Sequence, residues 1–222
     1  MPPIVSIVGK SGNGKTTLLE KVIRELTRKG YSVGVIKHDA HGFEIDHEGK
    51  DSWRHKKAGA VTVALSSPAK FAVIKDVKKE WPPERIIEAH LSDVDVVITE
   101  GFKKSSFPKI EVVRKANSGT PVCAKDKNLI AFATDAAISG RGKGEDKTPL
   151  YGLDDFKGIA LFIEKNIIKK HRESGVSLIV DGAVVTLKPF IANLIRDGVI
   201  GMTRSLKGCS DAGEIEIRIR RG

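Results

Sequence analysis

Hydrophobic positions along the chain come in blocks whose period switches between strand-like and helix-like. Ile4-Val5-Ser6-Ile7-Val8 is short, β-branched and apolar, the composition of a buried strand. Leu18, Leu19, Val22, Ile23 and Leu26 then recur at helical spacing, and Gly30 stands where that helix stops. Ser32-Val33-Gly34-Val35-Ile36 reads as a second strand that closes a βαβ unit. Asp51 or Ser52 is expected to cap a short helix through Lys57, with Gly59 ending it and Trp53 as a packing residue. Residues 61–65 and 71–74 read as strands joined by Ser66-Ser67-Pro68-Ala69, and Pro82-Pro83 opens a helix containing Ile86, Ile87 and Leu91. Further strands fall at Val96-Val97-Ile98-Thr99, Ile110-Glu111-Val112-Val113 and 129–133, followed by a helix over 154–170 with Phe156, Ile159, Ile163 and Ile167 in one stripe.

Strands alternating with helices predict an α/β fold, a mostly parallel sheet flanked by helices. Ser174-Gly175 marks the expected boundary between a domain over 1–174 and a small α+β extension over 175–222. In the extension, 176–180 and 183–187 flank Asp181-Gly182 as a tight hairpin, and Pro189 begins a helix over Phe190, Ile191, Leu194 and Ile195. Residues 214–220 alternate strictly and predict a half-buried strand with an ordinary solvated charged face.

Chemistry enters between the first strand and the first helix. Gly9-Lys10-Ser11-Gly12-Asn13-Gly14-Lys15-Thr16 fits G-x-x-x-x-G-K-[ST], the loop that wraps phosphates in backbone N–H groups at a helix N-terminus. Lys15 is expected on the β- and γ-phosphates and the Thr16 hydroxyl on Mg²⁺. Glu100 ends an apolar strand before Gly101, the layout of a Walker B acid, and is expected to hold Mg²⁺ or poise the attacking water. At the carboxyl end of the second strand lie Lys37, His38, Asp39, His41, Asp46, His47 and Lys50. There Asp46 or Asp39 would orient a water and Lys37 or Lys50 a substrate phosphate, or else His38, His41, His47 and Asp46 would bind a transition metal. Lys103, Lys104 and Lys109 suggest a basic rim, and residues 139–149, with Arg141, a basic connecting loop. No N-K-x-D motif is present; Asp135, at a strand end, is placed either to read a base or to cap a helix.

Composition narrows the partners. A net charge of +10 over 222 residues suits anionic ligands, whereas 5% aromatic residues give little support to base stacking on nucleic acid. Two cysteines argue against a disulfide framework, and no apolar run reaches membrane-spanning length. With Met1-Pro2-Pro3 leading straight into a strand, a cytoplasmic location is expected.

Together the motifs resemble the molybdopterin-guanine dinucleotide biosynthesis protein B (MobB) family. The matching residues are the phosphate loop with Lys15-Thr16-Thr17-Leu18, Gly34-Val35-Ile36-Lys37-His38, His41, Asp46, Gly49-Lys50-Asp51-Ser52, Ala58-Gly59-Ala60, Thr99-Glu100-Gly101-Phe102-Lys103 and Phe107-Pro108-Lys109-Ile110-Glu111. The resemblance covers residues 4 to about 170. It implies a P-loop NTPase fold, homodimerisation, weak GTP hydrolysis, and partnership with the guanylyltransferase that joins GMP to molybdopterin, so that molybdopterin or its guanine dinucleotide form is an expected ligand. It puts Lys15 and Thr16 on GTP and Mg²⁺, Glu100 as the Walker B acid and Asp46 as a second carboxylate. The nucleotide-binding set is then Gly9, Lys10, Ser11, Gly12, Asn13, Gly14, Lys15, Thr16 and Thr17, with Asp135. Lys10 departs from the family loop and suggests a reach across a dimer interface, and the extension lies outside the match. A small-molecule kinase with Glu100 or Asp46 as base, and a nucleotide-gated adaptor with negligible catalysis, are the alternative readings of the same sheet.

Overall fold

The computed structural model describes residues 1–39, 42–138, 148–171, 175–181, 183–185, 187–209, 215–217 and 219. The first strand, β1 (Ile4–Val8), is buried along its whole length, as the short apolar run requires. It feeds α1 (Lys15–Arg28) through the glycine loop, and the chain returns through β2 (Val33–Lys37). Helix α2 (Asp51–Lys57), strands β3 (Thr62–Ser66) and β4 (Phe71–Lys75), helix α3 (Pro83–His90), and strands β5 (Val96–Glu100), β6 (Lys109–Val113) and β7 (Leu129–Thr134) follow. A two-residue strand, β8 (Leu150–Tyr151), precedes α4 (Phe156–Ile163), which continues as a π-helical stretch, Glu164–Lys169. The extension holds β9 (Leu178–Val180), β10 (Ala183–Val185) and α5 (Pro189–Arg204).

Six strands form one parallel sheet in the order β2-β5-β1-β6-β7-β8. Strand β1 therefore sits between β5 and β6, where the strand order reverses, and ligands bind beyond the carboxyl ends of strands at such a point. The two-residue pleat sorts the core. Val5, Ile7, Val96, Ile98, Ile110 and Val112 meet α1 and α4 on one face. Ile4, Ile36 and Val97 meet Ile87 of α3 and Phe107 on the other. Among the described residues, strands β3 and β4 pair only with each other, as an antiparallel hairpin.

Several expectations shift. Helix α2 begins after Lys50 without a side-chain cap, because the Ser52 hydroxyl donates to Asp46 instead. Trp53 is half-buried, with the Lys57 ammonium 5.2 Å from its ring centroid. Helix α4 starts later than expected, with Asp155 accepting from the Gly158 N–H at 2.9 Å. Its stripe widens: Ile159, Ile163 and Ile167 are buried in the core as expected, with Phe156 packed against it, and Ile168, fully buried, joins them. The π turn is wider than an α turn, so two successive residues, Ile167 and Ile168, face inward. Ile215, Glu216 and Ile217 form no strand, and Glu214, Arg218 and Arg220 lie outside the described residues, as do His41, Arg141, Ser174 and Gly182. Neither core cluster draws on a residue beyond Ile168.

The π turn also places Glu164 between two ammonium groups, with Lys29 at 2.5 Å and Lys169 at 2.8 Å. Lys169 first and Lys29 second hold the carboxyl at about 2, below its ordinary 4.5. The stability this contributes is complete above pH 4.5 and is lost as pH falls toward 2. Glu164→Gln is expected to lower Tm by about 5 °C near neutrality. Its deficit against the parent should close across that acid window in calorimetric melts.

Candidate functional site

The loop between β1 and α1 is held in a conformation that its glycines alone permit. Gly9 has φ 142°, and a Cβ there would stand 2.4 Å from the Val112 carbonyl oxygen. Gly14 has φ 83° and lies at the N-cap of α1, where it offers no side chain to the first-turn amides. That first turn also carries no acidic residue, so the positive end of the helix is left for an anion. Lys15 folds back, its Nζ donating to the Lys10 carbonyl oxygen at 2.9 Å. Burial pulls the Lys15 ammonium below the ordinary lysine pKa; Glu100 opposes the shift, while Lys103 and Lys37 add to it.

Parallel register delivers the acid. Ile7 of β1 pairs with Glu100 of β5, and the Glu100 carboxylate accepts from the Thr16 hydroxyl at 2.8 Å. One residue earlier in the same register, the buried Ser6 and Thr99 hydroxyls bond each other at 2.7 Å. The loop hydroxyl and the strand-end carboxylate are thus joined at the mouth of the phosphate loop, as the motifs require.

Sequence reasoning missed the clasp on the other side of the loop. A 3-10 turn, Lys115–Asn117, follows β6. Asn117 Nδ2 donates to the Ser11 carbonyl at 2.6 Å and to Asn13 Oδ1 at 2.7 Å. Asn13, buried, passes the link on by donating from Nδ2 to the Val112 carbonyl at 2.7 Å. Lys10 Nζ donates to the Ser118 hydroxyl at 2.5 Å, so this lysine is engaged within its own chain. The available signal was the polar run Arg114-Lys115-Ala116-Asn117-Ser118-Gly119 directly after a buried strand.

Two cavities flank the loop. The smaller, about 460 Å³, is lined by Gly14, Thr17, Lys21, Arg114, Asp135 and Asp154 among others. Asp135 Oδ1 accepts from the Lys115 N–H at 2.6 Å, so the residue caps the 3-10 turn while it lines this cavity. The larger, about 970 Å³, reaches from Gly9, Ser11 and Lys15 to His38, Trp81 and Phe102.

The other expected groups are dispersed. Asp46 lines neither cavity; its Oδ1 accepts from Ser52 and from the His47 N–H, and its Oδ2 is buried without a partner. His38 pairs with Glu80 at 3.0 Å and stacks on Phe102. Among the described residues no group of three His, Cys, Asp or Glu side chains is placed to hold a metal. Lys109 does not belong to a basic rim: it is fully buried, ion-paired with Asp126 at 3.0 Å and bonded to the Ser105 carbonyl. Glu111 on the same strand is buried too; burial raises its pKa, against the Val122 and Cys123 amides that donate to it. No helix among the described residues is long and apolar enough to cross a membrane.

A family model described as molybdopterin guanine dinucleotide synthesis protein B matches residues 4–135. The chain is 38% identical over 163 residues to the molybdopterin-guanine dinucleotide biosynthesis adapter protein of Haemophilus influenzae, covering 73% of this chain and 88% of that one. It is 26% identical to a putative adapter of the same description from Methanocaldococcus jannaschii, over 97% of both chains. The crystal structure of a molybdopterin-guanine biosynthesis protein B superposes with a TM-score of 0.56 at 32% identity, covering 73% of this chain and 98% of that one.

Asn117→Ala removes both bonds to the loop and strands the Asn13 amide oxygen. A loss of about 1–2 kcal/mol is expected, seen as a fall in Tm of about 2–8 °C. Phosphate-ligand affinity should drop about tenfold by calorimetry as the loop loses its clasp; parental affinity would show that the clasp does not shape the site.

Proposed function

The chain belongs to the molybdopterin guanine dinucleotide synthesis protein B family, and on that footing we propose that it is a GTP-binding, slowly hydrolysing adapter in the assembly of molybdopterin guanine dinucleotide. The observation that carries this reading is the Thr16 hydroxyl on the Glu100 carboxylate, beside a helix start with neither side-chain cap nor acidic residue. A triphosphate tail is the ligand whose charge and shape answer that arrangement. Gly9 to Thr17 wrap it, Lys15 exchanges the Lys10 carbonyl for the β- and γ-phosphates, and the nucleoside takes the smaller cavity beside Gly14 and Thr17. There Asp135 supplies a carboxylate acceptor for guanine N–H groups.

Thr16 and Glu100 form an all-oxygen donor set of the kind Mg²⁺ takes, and they are the residues that would hold it. Such an ion, when bound, neutralises charge on the β- and γ-phosphates. Glu100, joined to Thr16, poises water for the terminal phosphate in this reading as well as holding the ion, so turnover depends on it more than affinity does. Asp46, tied to Ser52 and to its own loop, supports the α2 segment in this reading and takes no part in the metal set. The adapter acts as a cytoplasmic homodimer that hands nucleotide chemistry to a guanylyltransferase and meets molybdopterin or its dinucleotide form there. Residues 175–222 form a separate appended unit, one shared in length by the archaeal relative.

Calorimetry with Mg·GTP tests the reading. Lys15→Ala should weaken binding at least about 100-fold, near 2.7 kcal/mol; an unchanged Kd removes the phosphate-loop assignment. Glu100→Gln should keep affinity within about tenfold while turnover falls by about 100-fold. Undiminished turnover in that variant would take the strand-end acid out of hydrolysis.

A further inference from the structure

Strand order and register set three residues in a row across the smaller cavity. Val113 of β6 pairs with Thr134 of β7, and Ala133 of β7 with Tyr151 of β8, so Thr134 stands level with Gly152. The next residues along the three chains are Arg114, Asp135 and Leu153, and all three line that cavity. Strand β7 lies between β6 and β8, so Asp135 falls in the middle with Arg114 to one side and Leu153 to the other. Two strand spacings put Arg114 and Leu153 about 10 Å apart at the main chain, room for a flat ring between their side chains.

We propose that Arg114 lays its guanidinium plane on one face of the nucleotide's base, with Leu153 on the other face and Asp135 at the ring edge. The assignment rests on the loop's binding a nucleoside triphosphate.

The cavity has few other means of holding a ring. None of the described residues that line it is aromatic, and Arg114 is the one flat, delocalised cation among them, the kind of group that stacks on ring faces. Its side chain is exposed and forms no hydrogen bond or ion pair among the described residues. Lys21, the other cation on this lining, is already ion-paired with Asp154 at 2.9 Å.

The root of Arg114, by contrast, is fixed. Its carbonyl accepts from the Asn117 N–H at 3.0 Å and from the Gly119 N–H at 3.1 Å, and the following N–H, of Lys115, donates to Asp135. A pinned main chain beneath a free head lowers the cost of ordering the arginine when a ligand arrives. Its Nη1 stands 3.8 Å from the place a Cβ on Gly14 would take, where the loop meets this cavity. Lys15 lines the larger cavity instead, so the terminal phosphates and the base are served from opposite sides of the loop. A contact on the ring face is blind to the ring edge, so Arg114 supplies affinity and leaves the choice of base to Asp135.

Calorimetry of the full chain with Mg·GTP separates a flat clamp from a simple charge. Arg114→Ala is expected to raise Kd about tenfold while Tm stays within about 2 °C of the parent. Arg114→Tyr, flat without charge, should bring Kd back to within about threefold of the parent. Arg114→Lys, charged without a plane, should remain about tenfold weak. Restoration by lysine would overturn the clamp and assign Arg114 to a phosphate. Parental affinity in Arg114→Ala, failure of tyrosine to restore it, or a fall in Tm in step with the loss would overturn it as well. Parent protein that binds no Mg·GTP would overturn the nucleotide reading and this inference with it.

Discussion

Register between two parallel strands is the constraint on which the site depends. Ile7 stands opposite Glu100, and that pairing alone brings the strand-end carboxylate to the hydroxyl of the first helical turn. A slip of one residue would turn every side chain of β5 to the other face, sending Val97 toward α1 and α4 and Glu100 away from the loop. Burial prevents it. Val96 and Ile98 are fully buried against one helical layer and Val97 against the other, so the apolar pattern that builds the core also aims the acid. Stability and chemistry are thereby written into the same five residues.

Much of this was legible in the chain. The phosphate loop, its flanking strand and helix, and Glu100 at the end of a buried strand all rest on local pattern, and local pattern survives folding. What escaped depends on distant neighbours. Asn117 is 104 residues from the Asn13 it holds, and nothing near an asparagine after a strand says which backbone it will meet. Lys109 follows an exposed lysine pair and reads as more of the same. Only the fold reveals Asp126 beside it and the closed wall around it. The π turn of α4 was invisible for another reason: six residues of ordinary helical composition do not announce a wider pitch, which here follows from fitting Ile168 into the core and Glu164 between two lysines. Asp46 stood out as a carboxylate beside histidines in a loop, and nothing local said that Ser52, six residues on, would donate to it.

The extension obeys a different economy. Its hairpin and α5 carry exposed apolar side chains, among them Phe190, Leu194 and Met202, and supply nothing to either central core cluster. The body that ends near Ile168 corresponds to the length shared with the bacterial relative, while the archaeal relative runs the full span. Family membership therefore rests on the first part of the chain.

The posture of Lys15 carries a kinetic meaning. Its ammonium rests on a carbonyl of its own loop, while Asn117 and Asn13 hold the surrounding main chain from the far side. Capturing a polyanion then asks for side-chain torsions and little backbone rearrangement, motions that run on picosecond to nanosecond scales. On the proposed reading, encounter guided by the field of a chain with net charge +10 would be the slow event, and loading would slow as ionic strength rises.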